Sequence, residues 1–419
     1  MGSIRFASGI VCVALCAGCG GGGAGSASST LGMNAQMPDP MSASASESSS
    51  TSPASTTPPP AATPSPPTVS APTPAPPSPA PTPDPPGDPT PVYSLTDIGS
   101  FTSPGATAID NHDNVVVAQI NGNGSFYYQH SSGSVVQLAA VTAGVDTVMA
   151  NGINDAGKIS GWSGQHAVVW QASGGYSLLT AANSSGTQAQ GINQQGVVAG
   201  SRSLPHADGA PTAWDANGVE TDLPGLVGGA IAVSDQGLIV GDATQFGVYP
   251  DYGPQHATAW QGGVAADLGT LPGDRISSAQ DVSNNGDIVG VSQGDNSHAV
   301  LWHAGSMTDI GSLSTSGPTN ASAAGIDDTG EIVGRSAVGT APDGSSLFRA
   351  FLFIGGQMRD LNSLVDPASP SASFVTLTDA AAINCNGDIA ANGMDARDQR
   401  THAYLLVRQG ASRTDCPPR

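Results

Sequence analysis

The chain has 419 residues, 33 of them acidic and only 12 basic, for a formal net charge of −21. Such a chain lacks the clustered cations that bind phosphates by releasing counterions, which excludes nucleic acid as its main partner. With 55 glycines, 33 prolines, 5% aromatic and 11% charged residues, the composition is poor for a helical bundle and suits turns, short strands and linkers.

Residues 1–18 carry one basic residue, Arg5, followed by an apolar run from Ile10 to Ala17. A membrane span needs ~20 apolar residues, so the run reads as a secretory signal peptide. Its end, Leu15-Cys-Ala-Gly-Cys19 followed by four glycines, resembles the processing site of bacterial lipoproteins. The resemblance implies that Cys19 is lipidated and becomes the mature N-terminus. It also implies that the protein is anchored in the bacterial cell envelope, at the outer membrane on its periplasmic or surface-exposed side. A single acyl chain holds a protein only marginally, so the implied anchor is multiply acylated. An ordinary signal peptide with an incidental cysteine is the alternative.

A Gly/Ser-rich segment, 19–37, leads into 38–91, which holds 20 of the 33 prolines among Ser, Thr and Ala. That composition cannot bury enough apolar surface to offset its ordering entropy and predicts a disordered linker of polyproline-II character. At ~3.1 Å per residue it reaches on the order of 170 Å when fully extended. Three of the five cysteines lie in the leader. The two others, Cys385 and Cys416, suit no metal motif; an oxidising compartment favours a disulfide fastening the C-terminal tail, 408–419, against two free thiols.

From Val92 onward one pattern recurs seven times, 39 to 57 residues apart. Its first element is an aliphatic residue, Asn, Asp or Ser, a turn usually containing Gly, and a β-branched run, as in Ile153-Asn-Asp-Ala-Gly-Lys-Ile159 and Val282-Ser-Asn-Asn-Gly-Asp-Ile288. The second is a short apolar strand such as His256-Ala-Thr-Ala-Trp260 or His298-Ala-Val-Leu-Trp302, and the third is Asp-Leu/Ile-Gly-like, as at Asp267 and Asp309. Four short strands in about 45 residues match a β-propeller blade, with a β-solenoid as the alternative. The repeat begins with an orphan fourth strand, Tyr93–Gly99, and ends on a unit that stops after its third strand, Tyr404–Val407. Pairing the two fragments completes a blade and removes an open sheet edge. The predicted fold is therefore all-β: a seven-bladed propeller over 92–407, closed by its N-terminal strand.

These motifs resemble the HAF-repeat family of extracellular bacterial repeat proteins, named for the His-Ala-Phe start of the second element; the resemblance covers Val92 to Val407. Arg349-Ala-Phe351 keeps Ala-Phe without the histidine. Membership implies an extracellular or surface location and little chemistry.

Five histidines, His166, His256, His298, His303 and His402, fall on or beside third strands. Equivalent positions in different blades are too far apart to share a tetrahedral ion, so a repeated structural hydrogen bond is expected and a metal is not. Trp170, Trp214, Trp260 and Trp302 are expected to pack between blades. The acidic turns at Asp110–Asn114 and Asp327–Glu331 lack the ligand spacing of a calcium loop and read as ordinary turn chemistry. No nucleophile elbow, phosphate loop or dinucleotide fingerprint occurs.

Propeller topology gathers the 2–3 and 4–1 connections on one face, where the long insertions fall: Ser203–Ala210, Asp242–Gln255, Ser336–Leu347 and Asp366–Thr378. Such loops are where binding usually resides. Phe246, Tyr249, Asp251 and Tyr252 combine aromatics with a carboxylate, suited to a glycan or a protein ligand. The expectation is a monomeric, lipid-anchored binding or display module without cofactor or catalytic residues. A carbohydrate-active hydrolase or lyase, using carboxylates of the long-loop face, is the alternative.

Overall fold

In six repeats the glycine of the turn motif takes a left-handed conformation: Gly157, Gly196, Gly237, Gly286, Gly330 and Gly387 have φ between 69° and 86°. In the first repeat Asp113 occupies that place at φ 61°. These turns fold the first two strands of each repeat into a hairpin. A computed structural model describes residues 90–101, 104–119, 124–204, 207–244, 247–248, 251–317, 319–410, 413–414 and 416. The expected signal peptide, Cys19 and nearly all of the expected linker lie outside them.

Seven four-stranded antiparallel sheets form a ring, making the protein a seven-bladed β-propeller. The blades span residues 104–137, 148–179, 186–222, 228–267, 276–309, 321–360 and 375–408, the last completed by Tyr93–Ser100. The first strand of each blade lies innermost, against the first strands of both neighbours. Every innermost strand carries a β-bulge just after a buried alanine, Ala106, Ala150, Ala189, Ala230, Ala279, Ala323 or Ala380. The bulge pushes backbone toward the second strand, where only glycine fits in five blades. A Cβ added at Gly241 or Gly290 would stand 2.1 Å from the opposing carbonyl of Gly229 or Ser278.

The hydrophobic core is divided into seven clusters, one at each junction between blades. Trp170, Trp214, Trp260 and Trp302 are buried there. Each also donates its indole N–H to a carbonyl of the preceding blade's exit, at Ala139, Thr180, Pro224 and Leu268 respectively, over 2.7–3.0 Å. An apolar body with one satisfied polar group is how a buried indole is accommodated, and here it cross-links successive blades.

The N-terminal strand closes the ring against the last blade, as expected. Tyr93–Ser100 pairs antiparallel with Arg400–Arg408, from Tyr93 opposite Arg408 to Ser100 opposite His402. Tyr93 and Leu95 are buried in the junction between blades six and seven, so this strand contributes core as well as hydrogen bonds.

Candidate functional site

At the end of the axis where first and second strands join, the seven turns converge on a cavity of about 330 Å³. The first polar residue of each motif folds its own turn: Asp110, Asn154, Asn193, Ser234, Ser283, Asp327 and Asn384 each accept the backbone N–H four residues on. The next residue links blade to blade. Its backbone N–H donates to the equivalent side chain of the following blade, giving Asn111 to Asp155 at 2.9 Å, Asp155 to Gln194 at 3.0 Å and Gln194 to Asp235 at 2.9 Å. The series continues from Asp235 to Asn284 at 2.8 Å and Asn284 to Asp328 at 2.6 Å, and it returns from Cys385 to Asn111 at 3.0 Å.

Six of seven links of this ring are therefore made. At the junction from blade six to blade seven the acceptor is replaced by Cys385, whose sulfur is bonded to Cys416. The C-terminal tail spans the break. Arg413 Nη1 reaches Asp327 Oδ2 at 2.5 Å and donates to the Cys385 carbonyl at 3.0 Å, while its Nη2 lies 2.8 Å from Glu331 Oε1. Arg408 also contacts Glu331, at 2.8 Å. Burial acts to lower the Arg413 pKa, but Asp327 and Glu331 outweigh it and raise it. A disulfide and two arginines thus join blades six and seven where the hydrogen-bond ring does not.

The histidines of the second motif are bonded to the aspartates of the third. His256 Nδ1 lies 3.0 Å from Asp267 and His298 Nδ1 3.1 Å from Asp309. Blade six keeps the pair as Arg349 with Asp360 at 4.0 Å. Blade three has no histidine there, and Arg202 of its second strand meets Asp222 at 2.7 Å instead. In blade seven the partner comes from the closing strand, with His402 Nδ1 2.9 Å from Asp97. His303 pairs with Asp287 of its own blade, and His166 is exposed.

A donor set of Asp97, Asp395 and His402 comes within 4.8 Å. Its atoms already have partners: Arg397 binds the Asp395 carboxylate through Nε and Nη2 and reaches Asp97, and Asp398 takes His402 Nε2 at 3.1 Å. Arg397 holds the Asp395 pKa down at about 2.

On the long-loop face, Asp251 and Tyr252 lie in a two-residue strand paired with Gly247–Val248. Phe246 and Tyr249, the other two candidate ligand contacts, lie outside the described residues. Among the described residues, seven large apolar side chains on this face are exposed: Val145, Leu226, Ile276, Val338, Leu347, Phe374 and Met394. Phe374, 44% exposed, has the Arg397 guanidinium 5.4 Å above its ring, and Arg335 lies 5.0 Å from the Phe348 ring. Three carboxyls of the inner strands are shifted upward. Burial pushes Asp242 and Asp281 to about 6 and raises Asp379, against the Arg335 charge that lowers it. Neither these carboxyls nor the inter-blade ring was singled out from the sequence. The fixed polar residue at the second turn position was the available signal for the ring.

No protein family and no characterised protein matches the chain by sequence. Among solved structures it is similar to TolB from Acinetobacter baumannii, 12% identical with a TM-score of 0.37, over 77% of this chain and 65% of that one. It is also similar to U3-55K, 12% identical with a TM-score of 0.47 over 75% and 98% of the two chains. Virginiamycin B lyase from Staphylococcus aureus, crystallised with quinupristin, is 11% identical with a TM-score of 0.38 over 75% and 99%. These likenesses are of fold alone.

Proposed function

We propose that the protein is an exported, lipid-anchored member of the HAF-repeat family. Its propeller displays the long-loop face as a binding surface at the end of a proline-rich spacer, for a glycan or protein in the cell envelope. The observation that carries this reading is the set of exposed apolar side chains on that face, with Phe374, Leu347, Val338 and Met394 contributed by blades six and seven alone. Exposed apolar groups beside arginines and aromatics suit a ligand with both apolar and polar surface. The histidines and aspartates of the repeat support binding over catalysis, because they are occupied in strand-to-strand pairs. A glycan and peptide array probed with the full chain tests the reading. Binding that is lost in Phe374→Ala and Leu347→Ser variants supports it, and an array without any retained ligand counts against it.

The second reading is a carbohydrate-active hydrolase or lyase. Asp242 favours it, being near the long-loop end of a second strand and pushed up to about 6, where a carboxyl exchanges protons near neutral pH. Release of oligosaccharides from a polysaccharide panel, abolished by Asp242→Asn, would favour the enzyme.

A further inference from the structure

Lys158 is the only lysine in the chain, and among the described residues its ammonium has no ion pair or hydrogen bond. It stands at a cleft between blades two and three with a volume of about 130 Å³, lined also by Gln171, Ser177, Leu179, Asp215 and Asn217.

The repeat supplies an internal comparison. Lys158 follows the turn glycine of blade two as Glu331 follows that of blade six. Across the cleft, a Cβ placed on Gly196 would meet Lys158 Nζ at 3.1 Å and Ala216 at 3.5 Å. Placed on the equivalent Gly387, it would meet Arg408 at 2.9 Å and Arg413 at 3.3 Å. The two sites are therefore the same place in two junctions. Between blades six and seven the carboxylate of Glu331 is met by Arg408 from the facing strand and Arg413 from the tail. Between blades two and three the charge is inverted, the facing arginine is replaced by Ala216, and the space is left as a cleft.

We propose that this cleft binds a small carboxylate, its charge met by Lys158 and its oxygens by the Gln171 amide and the Ser177 hydroxyl. Lys158 is the one cation among the lining residues, so it can meet a single negative charge and no more. The volume admits a group of acetate size, and Val169, Val198 and Leu179 give an apolar wall for its alkyl end. Asp215 makes no ion pair with the lysine; its Oδ1 accepts the backbone N–H groups of Asn217 and Val219. A dianion is disfavoured by that neighbour, so phosphate should bind less well than a carboxylate. The carboxylate comes either from a free small acid or from the C-terminus of another chain.

The single lysine makes a direct test possible. Reductive ¹³C-dimethylation of the full chain keeps the lysine charge and gives one side-chain amine resonance. Sodium acetate, titrated at constant ionic strength against sodium chloride, should shift that resonance saturably with a half-point in the millimolar range. Sodium phosphate should do so at least threefold more weakly. A short peptide with a free C-terminus, compared with its amide, separates the sources: a shift from the free-acid peptide alone places a chain terminus in the cleft. A Lys158→Glu/Ala216→Arg double variant rebuilds the pair of the other junction and should remove the rise in melting temperature that the effective carboxylate gives to the parent. The proposal is overturned if acetate and the free-acid peptide act like chloride, or if the double variant responds as the parent does.

Discussion

Asp97 Oδ1 lies 2.9 Å from His402 Nδ1, although the two residues are 305 positions apart. The same contact in blades four and five joins residues 11 positions apart. Closing the ring with the N-terminal strand thus restores to blade seven the pair that the repeat builds locally elsewhere. Burial acts to lower the His402 pKa, but Asp97 and Asp398 outweigh it and raise it. Stabilisation from a raised histidine pKa is complete below the unfolded value of ~6.5 and is lost as pH rises through the folded value. Asp97→Asn is expected to cost about 1.5 kcal/mol at pH 5.5 and distinctly less at pH 8.5. Urea unfolding at the two pH values checks this, and an equal loss at both would show that the charged pair is not the source.

Removing Tyr93–Gly99 should destabilise the propeller severely. The deletion takes Tyr93 and Leu95 out of the junction between blades six and seven and leaves the third strand of blade seven as an open edge. Burying a large apolar side chain is worth about 2 kcal/mol, before any backbone hydrogen bonds are counted. Thermal unfolding of the deleted and full chains is the measurement; identical midpoints would show that closure contributes nothing.

The strand pattern, blade number and closing strand were legible because each rests on local signals: β-branched runs, a glycine at a positive-φ turn, and a truncated first and last unit. The pairing of His256 with Asp267 was less visible, though its spacing of 11 residues recurs from His298 to Asp309 and from Arg349 to Asp360. The replacement in blade three could not be read, since Arg202 reaches Asp222 from a different strand. Asp242 and Asp281 look like ordinary strand aspartates in one dimension. Their shifted pKa values come from the neighbouring blades that enclose them, and no periodicity encodes that enclosure.

Those carboxyls predict an acid-favouring protein. An aspartate raised to about 6 when folded binds more protons folded than unfolded between its ordinary value and 6. Stability therefore falls as pH rises through that window, and the loss is complete above it. Asp242→Asn keeps an oxygen for the Gly229 N–H, which donates at 3.3 Å, and removes the charge. The variant is expected to gain on the order of 2 kcal/mol at pH 8 and nothing at pH 4. Melting temperatures across that range decide it, and a gain independent of pH would point to packing instead.

The break in the axial ring makes the last prediction. Cys385 ends the series of acceptors, and its bond to Cys416 holds Arg413 against Asp327 and Glu331. Opening a native disulfide of this kind typically costs about 2–4 kcal/mol. Here the loss should fall on the junction between blades six and seven, since the tail is what joins them at that end. Cys385→Ser/Cys416→Ser should therefore lower the unfolding free energy and speed hydrogen exchange of the turn amides at Asp327–Glu331 and Asn384–Asp388. Cys385→Asn/Cys416→Ser offers the Asp328 N–H the amide oxygen that other blades provide, as Asn284 does for Asp235 at 2.8 Å. It is expected to recover about 1 kcal/mol relative to the serine pair. Exchange measured by mass spectrometry locates the effect, and equal stability of the two double variants would show that the ring hydrogen bond has no part in holding the blades together.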